Sequence, residues 1–146
     1  MQKRVVWGII LMAVLSGCGT NQNNTPSSQD PRSGAKVVIM PKAQEKQTKI
    51  DTIRLGKLHE GEVVETGIWL KNTDTKPLVI VSTVTGCGCT TVGYDTKPIA
   101  PQDSSYIKIV YNSKNKYGQQ IQDIDLISSD NQIAKTILMV EVLDNN

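Results

Sequence analysis

Residues 104–112 read Ser-Ser-Tyr-Ile-Lys-Ile-Val-Tyr-Asn, with Ile107, Ile109 and Tyr111 at every second position. Successive side chains of an extended chain point to opposite faces, so this spacing puts the three on one face of a strand. The period recurs along the chain. Residues 63–72 direct Val64, Ile68 and Leu70 inward with Glu65 and Lys71 outward. Residues 119–129 place Ile124 and Leu126 together, and residues 133–143 do the same for Leu138, Val140 and Val142. Shorter runs at 36–40, 49–55 (Ile50, Ile53, Leu55) and 78–84 complete the set. Turn-forming residues separate them: Pro41, His59-Glu60-Gly61-Glu62, 72–77, the loop with Pro98 and Pro101, 114–118 and 128–131. No stretch from residue 36 onward carries the 3.6-residue period of an amphipathic helix. The expectation is an all-β domain, an antiparallel β-sandwich of immunoglobulin-like type with about seven strands. The sequence holds no Phe, so Val, Ile and Leu must supply the core, with a few Tyr and Trp.

The first residues belong to a different pattern. Lys3-Arg4 is followed by an apolar run from Val5 to Leu15 and then by Leu15-Ser16-Gly17-Cys18. The run is too short to span a bilayer, which needs about 20 apolar residues, and it suits a secretory leader. The four residues that close it resemble the lipobox of bacterial lipoproteins. That resemblance implies removal of residues 1–17 and a diacylglycerol thioether on Cys18, the lipidation site and first mature residue. Several acyl chains on one residue would anchor the chain stably to a membrane. No other cofactor is expected.

Residues 18–35 form the second segment, polar and free of Val, Ile and Leu up to Gly34, with Pro26 and Pro31. Such a composition cannot bury a core and reads as a disordered tether. As a random coil, residues 19–34 would span roughly 20–24 Å. The domain itself then occupies residues 36–146, a size sufficient for one core. Loss of Lys3 and Arg4 with the leader brings the 16 basic residues level with the 14 acidic ones. A balanced chain offers no electrostatic footprint for nucleic acid.

One internal stretch is unusual: Val84-Thr85-Gly86-Cys87-Gly88-Cys89-Thr90. Exported proteins meet an oxidising environment, where thiols tend to pair. Residues two apart in a strand lie about 6.6 Å apart, at the edge of disulfide geometry, and a turn at Gly88 would shorten the gap. Cys87 and Cys89 are therefore candidates for a structural disulfide, for a thiol-redox pair, for a Cu(I) site, or for part of a partner-binding surface. Two thiolates are too few for a closed zinc site, and the mature chain keeps one histidine, His59, and two methionines, Met40 and Met139, none near in sequence. His59 sits among turn residues, Glu60, Glu62, Asp123 and Asp125 read as a solvated face, and Gly86-x-Gly88 precedes no helix that could hold a phosphate. Trp69 is predicted to point outward, either as a binding patch or packed under the tether.

Gly61-Glu62, Ile68-x-Leu70-x-Asn72-Thr73, Lys76-Pro77-Leu78-x-Ile80, Gly86-Cys87-Gly88-Cys89-Thr90, Pro98-Ile99-x-Pro101, Ile107-x-Ile109-x-Tyr111 and Gly118 follow one another in order. This series resembles the DUF1573 family of bacterial envelope proteins, whose immunoglobulin-like domain is related in architecture to the ASPM-SPD-2-Hydin and PapD-like groups. Ile68 and Leu70 stand where the family pattern has aromatic residues. Asp74, Gly86 and Gln102 stand where it has Gly, Ser and Gly. The resemblance implies a fold, an envelope location and a shared Cys-Gly-Cys-Thr element, with no activity to carry over. The expected protein is a lipid-anchored envelope lipoprotein, with a non-enzymatic binding or scaffold domain and an envelope protein as partner. The alternative is a redox or Cu(I)-binding protein using Cys87 and Cys89.

Overall fold

The computed structural model describes residue 32 and residues 35–41 and 50–144. The leader, Cys18 and most of the tether lie outside the described residues. Eight strands appear: β1 (Lys36–Ile39), β2 (Ile50–His59), β3 (Val63–Lys71), β4 (Ile80–Thr85), β5 (Thr90–Gly93), β6 (Ser104–Asn112), β7 (Gly118–Ser128) and β8 (Ile133–Leu143). They form two four-stranded sheets, ordered β1-β3-β6-β5 and β2-β8-β7-β4, packed as a sandwich. Among the described residues there is no helix.

The inward faces are those the alternation marks. Ile68, Leu70, Ile107, Ile109, Tyr111, Ile124, Leu126 and Leu138 are wholly buried, and Val140 and Val142 nearly so. They divide into two adjoining clusters, one around Ile68, Leu70 and Ile107 and one around Ile109, Tyr111 and Ile124, with Ile53 and Val92 touching both. Burying a Leu or Ile side chain contributes about 1.5–3 kcal/mol, so these clusters are the main source of stability.

Pairing departs from the antiparallel expectation at two edges. Four ladders are antiparallel, but β1 runs parallel to β3 and β2 runs parallel to β8. Parallel neighbours need a crossover connection, and here each edge strand reaches its partner by way of the other sheet. The strand expected over 49–55 also continues to His59. Gly56, at a φ of +79°, sits at a bulge that shifts the register between Arg54 and Gly56. Before the bulge Asp51 and Ile53 pair with the inward Thr136 and Leu138; after it Gly56 and Leu58 pair with Val140 and Val142. Leu58 is thereby buried, although it is out of step with Ile53.

The strand expected over 78–84 begins at Ile80. Leu78 makes an isolated bridge to Ile99, and Asn72 organises the crossing beneath it. The Asn72 side-chain amide donates to the carbonyls of Lys76 (2.8 Å) and Ile99 (3.0 Å), and its Oδ1 accepts the Asp74 N–H (2.9 Å). Gln102 adopts a φ of +65°, the left-handed conformation that glycine enters most readily. Its N–H donates to the Asn72 carbonyl at 2.9 Å.

Candidate functional site

β4 is an edge of one sheet and β5 an edge of the other, so residues 86–89 carry the chain from sheet to sheet at one flank of the sandwich. Thr90-Thr91-Val92-Gly93, which reads as loop in the sequence, pairs with β6 and brings the chain into the second sheet at once. The corner is tightly bonded. The Gly86 N–H donates to the Asp123 carbonyl (3.1 Å), the Thr85 hydroxyl to the Cys87 carbonyl (3.1 Å), and the Asn112 N–H to the Cys89 carbonyl (2.9 Å).

Cys87 and Cys89 are joined as a disulfide across this corner, with Cα atoms 5.3 Å apart. That separation falls within ordinary disulfide geometry and is shorter than the extended-strand value. The shortening does not use the special freedom of glycine. Gly88 lies outside the left-handed region, and a Cβ there would meet nothing within 4 Å. The two half-buried sulfurs differ in surroundings. Cys89 packs against the cluster of Ile109, Tyr111 and Ile124. The Cys87 sulfur accepts the Cys89 N–H at 3.2 Å and lies 3.9 Å from the Thr90 hydroxyl. While the bond is closed, neither sulfur is a thiolate ligand for a metal. Among the described residues no cluster of three or more His, Cys, Asp or Glu side chains is placed to hold one.

Tyr111 lies in register with Thr90, one residue from the Asn112 that anchors Cys89. It is fully buried, and its hydroxyl has no hydrogen-bond partner among the described residues. Burial raises its pKa above the ordinary 10.0. His59 is exposed at the end of β2, where its N–H donates to the Glu62 carboxylate at 3.0 Å. Its carbonyl accepts the Ser113 hydroxyl at 2.9 Å, one residue from the Asn112 that anchors Cys89.

A family model for proteins of unknown function, DUF1573, matches residues 32–142. The chain belongs to the DUF1573 family. A comparison with curated proteins finds no match. Among solved structures, the DUF1573 domain is similar to a protein of unknown function from Porphyromonas gingivalis W83, at 20% identity and a TM-score of 0.56 over 81% of this chain and 51% of that one. It is also similar to the VesB protease of Vibrio cholerae (16% identity, TM-score 0.53, 62% of this chain and 30% of the protease). The secreted serine protease VesC of the same organism gives 15% identity and a TM-score of 0.50 over 62% of this chain and 22% of that one. The chain thus spans about half of the first structure and less than a third of each protease, and the likeness is one of fold.

A second feature of the DUF1573 domain lies on the outer face of the first sheet. Trp69 points outward and is half-buried there. It stands opposite Tyr106 on β6, with ring centroids 5.4 Å apart and planes at 62°, an edge-to-face pair. The Tyr106 ring leans diagonally over Gly67. A Cβ on Gly67 would come within 2.5 Å of Tyr106 Cζ and its hydroxyl oxygen and closer still to the Ile107 carbonyl, so only glycine fits beneath the ring. The Arg32 guanidinium lies 5.4 Å from the Tyr106 ring centroid. Tyr106, Gly67 and Arg32 carry no signal of their own in the sequence. A glycine inside a strand was the available cue, but it names no partner ring.

Proposed function

We propose that this DUF1573 protein is an envelope lipoprotein, anchored to a membrane through Cys18, whose sandwich serves as a non-enzymatic binding or scaffold module. The observation that carries the reading is Leu15-Ser16-Gly17-Cys18, a full lipobox at the end of a leader-like apolar run, followed closely by a folded domain. The domain supports the binding role through its edges. β4 is an edge strand whose Val81 and Val84 are 53% and 55% exposed, a surface on which an extended segment of an envelope protein can add as a further strand. A redox role for Cys87 and Cys89 requires that their bond open and close in use.

The anchor is tested by fractionation. Wild-type chain is expected in membranes and to take up radiolabelled palmitate, while Cys18→Ala is expected in the soluble fraction without label. Membrane retention of Cys18→Ala would count against lipidation. The strand-addition role is tested by cross-linking from position 84 in cells. A specific adduct that disappears in Ser82→Pro supports it, and equal adducts in both chains would refute it.

A further inference from the structure

We infer that the outer face of the first sheet, centred on Trp69 and Tyr106, rests on the surface of the bilayer that holds the lipid anchor. The inference rests on the anchored reading above. Val37, Trp69 and Tyr106 stand side by side across β1, β3 and β6. By the alternation that buries Val38, Ile68, Leu70 and Ile107, all three face outward. Val37 is 53% exposed and Ile39, next along the edge strand, 47% exposed. A sheet face turned to water has no reason to gather Val, Ile, Trp and Tyr at neighbouring outward positions. The outward positions in the rows on either side are Lys71 with Ser104 and Gly67 with Lys108, and the acid of the row beyond, Glu65, is ion-paired to Lys108. Trp and Tyr are the side chains that favour the headgroup region, apolar in body and polar at one tip, and Lys and Arg beside them can reach lipid phosphates.

The path of the chain selects the occupant. Arg32, the first described residue, lies on this face against Tyr106. From Cys18 to Arg32 the chain can span at most about 50 Å even if fully extended. The chain enters the domain on this face, so a short tether can lay it on the bilayer without first passing round the sandwich. The outer face of the second sheet differs in kind: it mixes exposed Ile50 and Ile121 with Arg54, Asp123 and the ion pairs Lys135–Asp125 (3.1 Å) and Lys57–Glu141 (3.4 Å), and its strands contain no Trp or Tyr.

Trp69 is its own probe, because the sequence's other tryptophan, Trp7, leaves with the leader. The lipidated protein is reconstituted in phosphatidylethanolamine–phosphatidylglycerol vesicles, with and without lipids brominated near the headgroup end of their chains. Loss of most Trp69 emission in the brominated vesicles is expected, with recovery in Val37→Asp/Ile39→Asp, whose exposed positions leave the core intact. Flotation with the vesicles but unchanged Trp69 emission would overturn the inference while leaving the anchor standing. Failure to float would count against the anchor. In that case the chain from Cys18 onward is coupled through the Cys18 thiol to maleimide-bearing lipid in the same vesicles, and quenching decides the face by itself. Trp69 emission that changes only when envelope proteins are added would overturn the bilayer in favour of a protein partner.

Discussion

The two flanks of the sandwich are fastened by different chemistry. At one flank β4 passes to β5 through the Cys87–Cys89 disulfide. At the other, the edge strands β1 and β2 are tied by an ion pair: Lys36 Nζ lies 2.8 Å from Asp51 Oδ1, the lysine half-exposed and the carboxylate nearly buried. Covalent strength suggests that the first flank contributes more to stability, but the loop lengths say otherwise. A disulfide stabilises mainly by restricting the unfolded chain, and this one, with a sequence separation of 2, closes only the short loop Cys87-Gly88-Cys89, so the chain-entropy relation gives about 1.5 kcal/mol. It shapes a corner and leaves the rest of the unfolded chain unrestricted. The ion pair joins strands of different sheets, so it fixes β1 against the body of the fold.

The comparison is most directly broken at Lys36. Lys36→Ala leaves the Asp51 carboxylate buried without its cation, and a loss of about 2 kcal/mol is expected in urea unfolding. That figure lies below the value for a fully buried pair because the lysine is half in water. Lys36→Ala/Asp51→Ala should cost less than Lys36→Ala alone, and an additive result would deny the coupling. Next comes the covalent flank. Cys87→Ser/Cys89→Ser should lower stability by about 1.5 kcal/mol or less, with β5 amides exchanging faster and β1 amides unchanged. A larger or global loss would show that the disulfide holds more than its corner.

The smallest effect at neutral pH concerns Tyr111 beside that corner. Its raised pKa means that the folded state keeps the phenol proton longer than the unfolded chain does. The stabilisation is full below about pH 10, falls as the unfolded phenol ionises, and is gone once pH passes the raised value of the folded state. Tyr111→Phe should be close to neutral at pH 7, since the hydroxyl has no hydrogen-bond partner to lose among the described residues, and should flatten the alkaline limb of a stability–pH curve. An unchanged alkaline limb would remove Tyr111 from the account. Salt, by contrast, should loosen the Lys36–Asp51 flank and leave the covalent one alone.

Much of the sandwich was legible in the sequence because the period of two reports directly which side chains face inward. Ile107, Ile109 and Tyr111 are buried together for that reason. What stayed hidden depended on partners. A strand's own pattern does not record the direction of its neighbour, so the parallel edges could not be read. β5 is too short to alternate visibly, and one extra residue, Leu55 at the bulge between Arg54 and Gly56, was enough to break the pattern before Leu58. Asp51 reads as a surface acid, and its burial makes sense only once Lys36 arrives from the other sheet. At the candidate site the cysteine pair stood out by composition alone. The corner it closes did not, because a corner is defined by two sheets that no local stretch describes. Gln102 shows the converse: its departure from the family pattern marks a position whose left-handed backbone is nevertheless retained.

The short β1–β3 ladder also has a mechanical side. Tension entering from the N-terminal side loads the ladder from Lys36 to Ile39 before any other part of the sandwich. β1 would peel away with Val38 and Met40, while the nine-residue ladder of β3 with β6 stays closed. Stretched between Arg32 and Leu143, the domain should give a brief early extension ahead of its main rupture. A domain pulled from its N-terminal side thus yields first at a four-residue strand.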